Sequence, residues 1–218
     1  MKRFVWAFST VLWLAGASRA LAEPTLPSQP DSPVLRRWLQ HPPDLLDDIE
    51  NNQAFPTRLG IGIGLATSRN NDFEYQISLQ DVVLANTRFS FSADYSVGSS
   101  SVSNKQWGTA ARYYIAPLGA YFNVAPQIGY RSLVFDANAR QGLEFGGKIL
   151  LALAPRAADI AITQSWVFAS EGDSVGRTVL EFGYNLSPVL RLTTAIELVN
   201  STLRKDTNFG VKVELTSF

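Results

Sequence analysis

The stretch Arg88-Phe89-Ser90-Phe91-Ser92-Ala93-Asp94-Tyr95-Ser96-Val97 decides the fold. Its side chains alternate, and a period of two is that of a β-strand, where neighbours leave opposite faces. One face carries Phe89, Phe91, Ala93, Tyr95 and Val97; the other carries Arg88, Ser90, Ser92, Asp94 and Ser96. The pattern recurs on either side. Leu59, Ile61, Ile63 and Leu65 alternate with Gly60, Gly62 and Gly64, and Phe73, Tyr75, Ile77 and Leu79 with Glu74, Gln76, Ser78 and Gln80. Trp107, Thr109, Ala111, Tyr113 and Ile115 alternate with Gln106, Gly108, Ala110, Arg112 and Tyr114. Further segments fall at 122–134, 143–153, 160–168, 180–186, 190–198 and 209–215, which makes ten. Each has roughly the 9–11 residues that a tilted membrane strand needs.

The connections alternate as well. Residues 68–72, 98–104, 136–142, 171–176 and 200–207 are polar loops, and tighter turns lie at 85–86, 116–119, 155–159 and 187–188. Long loops at one end and short turns at the other fit an antiparallel barrel of the outer-membrane type. Two places strain this reading. Residues 81–85 break the alternation after the second segment, and failure of the first two strands would leave eight. Pro126 falls inside the fifth strand, where it removes a ladder hydrogen bond and predicts a bulge.

Which face looks outward follows from chemistry. The polar face is rich in small residues, as a narrow lumen requires. Aromatic residues gather in two belts. Phe73, Tyr75, Tyr95, Trp107, Tyr130, Phe145, Trp166 and Phe168 lie toward the long loops, and Tyr113, Phe122, Phe182 and Tyr184 toward the short turns. Such girdles mark the two lipid–water interfaces. The expected fold is therefore an all-β, closed antiparallel transmembrane barrel over residues 57–218.

The N-terminus reads as an address. Met1-Lys2-Arg3, an apolar run over residues 4–15 and Ala20-Leu21-Ala22 make a secretory signal peptide over residues 1–22. Its removal takes three of the 19 basic residues and none of the 19 acidic ones, so the mature chain carries about −3. Residues 23–56 are a Pro-rich linker and short helical pieces, a periplasmic tether or a plug. Ser32-Pro33 starts one helix; Pro43-Asp44 starts another, with Leu45, Leu46 and Ile49 on one face and Asp47, Asp48 and Glu50 on the other.

Composition agrees with export. The chain has 218 residues, 46% hydrophobic and 11% aromatic, enough for one domain and too apolar for disorder. It has no cysteine, hence no disulfide and no thiolate metal site. Its zero formal charge argues against nucleic acid as a partner.

The last strand reads Asn208-Phe209-Gly210-Val211-Lys212-Val213-Glu214-Leu215, and the chain ends in Phe218. Asn208, Gly210, Val213, Leu215 and Phe218 resemble the terminal-strand signal of bacterial outer-membrane β-barrels. That resemblance implies an outer-membrane location, with the barrel-assembly machinery and outer-membrane lipids as partners. It departs in one respect: Phe218 is out of phase with Phe209, Val211, Val213 and Leu215. Residues 43–64 also resemble cyanobacterial-type envelope proteins.

The inward face carries Arg58, Arg88, Arg112, Arg131, Lys148, Arg191 and Lys212 with Glu74, Asp94, Glu144, Glu181, Glu197 and Glu214, seven positive against six negative. Buried singly, each charge would cost several kcal/mol, so they are paired or solvated. Catalysis finds little support. The one histidine, His41, precedes the barrel, so an outer-rim enzyme would lack its usual proton-transfer group. Gly60, Gly62 and Gly64 are small inward positions and not a dinucleotide fingerprint. No cofactor or metal is expected. Three readings stand: a structural or interaction barrel closed by ion pairs, a narrow pore for ions or small solutes, and a soluble lipid-carrier barrel.

Overall fold

Ten strands close into one antiparallel barrel, each hydrogen-bonded to its sequence neighbours and the first to the last. The computed structural model describes residues 44–67, 72–84, 87–99, 105–135, 138–154, 156–170, 173–202 and 205–217. The expected signal peptide, the helix begun at Ser32, His41 and Phe218 lie outside these residues. A short helix, α1 (Leu45–Asn51), comes first. The strands are β1 (Thr57–Ala66), β2 (Asp72–Val83), β3 (Phe89–Gly98), β4 (Lys105–Tyr113) and β5 (Phe122–Phe135). They continue as β6 (Asn138–Ala154), β7 (Ala158–Ala169), β8 (Val175–Asn185), β9 (Leu190–Asn200) and β10 (Lys205–Ser217).

Alternation places the faces as expected. Ile61, Ile77, Ile128, Ile149, Ile162 and Val213 point outward and are exposed, as are all the aromatics of the two belts. Several of these rings meet across strands: Trp107 and Tyr130 at 5.6 Å, Phe145 and Phe168 at 5.8 Å. The interior is polar and charged. A lipid carrier needs the opposite polarity, an apolar inside, so that reading falls.

Several expectations need correction. β2 survives the break in alternation at Asp81, so the first two strands stand. The strand passes through a bulge between Leu79 and Val82 and pairs again with Phe91 and Ser90. Pro126 causes no bulge: the β5–β6 register is unbroken through it, and β4 pairing ends one residue short, at Arg112 with Gln127. The missing N–H thus falls just past the last β4–β5 pair. Most of 136–142, expected as a loop, is strand, because Phe135 pairs directly with Asn138. β8 begins at Val175, five residues before the expected Leu180, and so carries Arg177.

The segment before β1 crosses the short-turn mouth. Asp44 caps α1, accepting from the N–H groups of Leu46 and Asp47 at 3.1 Å each. Leu46 is exposed, so it lends no apolar face to the packing. Beyond the helix, Ala54 N–H donates to Leu118 O at 2.9 Å, and Arg156 N–H donates to Ala54 O at 3.0 Å. Those partners sit in the β4–β5 and β6–β7 turns, across the barrel from β1. Phe55 is 1% exposed and packs with Tyr114, Ala125, Leu150, Ala152 and Ala161.

Candidate functional site: the lumen

Small residues on the inner wall leave room for long charged ones. A Cβ on Gly183 would lie 1.7 Å from Arg191 Nη2, and one on Gly108 would lie 2.5 Å from Arg131 Cζ. Gly60, Gly62 and Gly64 face Glu214, Lys212 and Gln76 in the same way. The lumen is accordingly filled by ion pairs arranged in layers.

The layer nearest the short turns centres on Asp81, which is fully buried. Its carboxylate accepts from Arg58 Nη2 at 2.7 Å, Lys148 Nζ at 2.8 Å, Arg112 Nη1 at 3.2 Å and Tyr114 Oη at 2.8 Å. Its backbone is engaged too: Asp81 N–H donates to Ser92 Oγ at 3.0 Å, and Thr57 Oγ1 donates to Asp81 O at 2.9 Å. Asp81 adopts φ 54°, a left-handed conformation uncommon for a residue with a side chain. The bulge turns this residue inward, and its partners over-determine the strain. Burial first, and then the Asp81 carboxylate, hold the Tyr114 phenol well above its ordinary pKa. Tyr114 is therefore a neutral hydrogen-bond donor. Beside this hub Arg191 bridges Asp159 at 2.7 Å and Glu214 at 3.1 Å, and Thr193 Oγ1 donates to Glu214 at 2.7 Å.

Nearer the long loops, Arg131 grips both oxygens of Asp94 at 2.8 Å each and donates through Nε to Glu144 at 2.9 Å. Ser165 Oγ also donates to Glu144. Lys212 Nζ lies 2.6 Å from Glu181, and Arg177 pairs with Glu197. Glu74 is buried near the end of β1. Leu133, Val167, Val175 and Val199 form a buried apolar cluster at the long-loop end. A cavity of about 70 Å³ lies between the two ends, lined by Gln76, Ser78, Gln106, Arg112 and Asn208 among others. Polar atoms of Ser78, Gln106 and Asn208 have no protein partner among the described residues. A polar space of this size takes a few waters, which satisfy such atoms.

Most expected charges meet here, with one exception and three additions. Arg88 is exposed at the short-turn mouth. It donates to Ile115 O at 2.8 Å and borders a recess of about 540 Å³ with Glu50 and Gln53. It precedes β3, so the alternation that carries Ser90, Ser92 and Asp94 inward does not bury it. Asp81, Asp159 and Arg177 are the additions. Each lies in a bulge or near a strand end, where alternation gives no warning.

Among the described residues no group of three His, Asp or Glu side chains is placed to hold a metal. Of the terminal-strand residues, Asn208 faces the lumen, while Val213 and Leu215 face outward beside β1.

No family matches this chain, and no curated protein matches it. Among solved structures it is similar to a KdgM porin, at TM-score 0.43 and 10% identity over 74% of this chain and 99% of that one. The KdgM porin in complex with disordered oligogalacturonate gives 0.44 and 11%, with 74% and 99% covered. Outer membrane phospholipase A from Escherichia coli gives 0.40 and 13%, with 76% and 98% covered.

Proposed function

We propose that this chain is a bacterial outer-membrane barrel that serves the envelope as a structural or interaction element, its lumen closed by ion pairs. One observation carries the reading: a closed sheet whose exposed face is an apolar band between aromatic girdles and whose buried face is charged. Lipid makes that outside favourable, and a closed barrel leaves no backbone edge unsatisfied in hydrocarbon. A barrel of this size is filled by side chains, as the layered network fills this one. The assembly machinery and outer-membrane lipids are its partners, delivery follows a cleaved signal peptide, and no catalysis is assigned to it.

The test is refolding of the mature chain into phospholipid vesicles. A heat-modifiable band on a gel and silence in planar bilayers are expected. Folding without detergent or lipid overturns the membrane reading; steady conductance overturns the closed lumen.

A further inference from the structure

The short-turn end of the lumen is shut twice, and the two closures touch. The outer closure is the strap of residues 52–56. It is pinned by backbone hydrogen bonds of Ala54 to two turns on the far side of the mouth, with Phe55 seated inside. The inner closure is the Asp81 layer. Phe55 stacks on Tyr114 with ring centroids 4.7 Å apart, and the Tyr114 hydroxyl donates to Asp81 at 2.8 Å. One tyrosine therefore bears on both.

The inner closure has an uneven charge. Three cations, Arg58, Arg112 and Lys148, converge on one carboxylate. That carboxylate stands on a bulge, in a backbone conformation held by its contacts. Beyond the bulge β2 rejoins β3 through Val82 with Phe91, Val83 with Ser90 and the Leu84 N–H, which donates to Phe89 O at 3.0 Å. Side-chain and backbone contacts together hold Asp81 in place, and withdrawal of its carboxylate would leave three cations facing one another. Inward of these cations the cavity beside Arg112 is already large enough for water.

We propose that the strap and Asp81 are the two coupled parts of a gate, and that the passage they close admits small anions. This rests on the membrane-barrel reading and adds to it that the closure is conditional. A small anion takes the place of the Asp81 carboxylate among the three cations; a small cation meets repulsion there.

The experiment uses the whole mature chain in planar bilayers under a potassium chloride gradient. Asp81→Gly removes the carboxylate and keeps the bulge, since glycine adopts positive φ at no steric cost. Tyr114→Phe combined with Phe55→Ala loosens the strap and cuts its tie to Asp81, leaving the charges in place. Conductance steps absent from the parent are expected in both, with reversal potentials displaced toward the chloride equilibrium. A heat-modifiable band certifies that each variant is folded. Folded but silent variants overturn the gate, and cation-selective steps overturn the anion passage. If Asp81→Gly gives no such band, the double variant decides alone. Failure of the membrane reading shows separately, as loss of that band from the parent.

Discussion

Asp81 is the most heavily engaged residue of the lumen, with three cations, a phenol, a serine and a threonine around it. Arg131 is its counterpart nearer the long loops, held by Asp94 and Glu144. Arg131→Met strands the buried Glu144 and the half-buried Asp94 and should cost about 3–5 kcal/mol. Guanidinium unfolding in vesicles, read by tryptophan fluorescence, measures it. Gly183→Ala puts a methyl group into the Arg191 guanidinium and should cost about 1–3 kcal/mol by overpacking. Gly147→Ala meets nothing nearer than 3.6 Å and should be close to neutral in the same assay. These residues differ in how far the sequence announces them. Arg131 and Gly183 sit in strict alternation, so their inward direction is legible. Asp81 is not, because a bulge inserts a residue and resets the period. Asp159 and Arg177 escape for a related reason: they lie near strand ends, where a polar residue reads as loop.

At the scale of elements, the strands were legible because one face meets an apolar surrounding and the other meets charge. Their ends were less so. β5 and β6 extend toward each other until Phe135 and Asn138 pair, through residues polar enough to read as a loop. The outward face carries its own prediction. Ile128 lies midway along β5 and is exposed. Ile128→Arg should cost about 2–4 kcal/mol, as a charge at the bilayer midplane does, whereas Val189→Arg in the β8–β9 turn should cost about 0–1 kcal/mol. Unfolding in vesicles separates the two; equal costs would place the apolar band elsewhere. The terminal strand makes a different prediction. Replacing Val213 and Leu215 by serine should abolish assembly in cells and leave detergent refolding intact, if their role is recognition. Loss of refolding as well would make them simple wall residues.

For the whole molecule, the joint between β1 and β10 has a consequence for how the chain reaches this state. Thr57 pairs with Ser217, so the two rims of the sheet come from opposite ends of the barrel sequence. Contacts of such long sequence separation are slow to form. Arg58 on β1 and Lys212 and Glu214 on β10 belong to these two rims. Until the rims join, the sheet is an open ribbon and its charged wall stays wet. Pairs between nearby strands, such as Arg131 with Glu144 and Arg177 with Glu197, can form as the strands add, but they lose bulk water only when the seam shuts. Zipping of that seam is then both the slow event and the cooperative one, and the protein encloses its interior in a single late step.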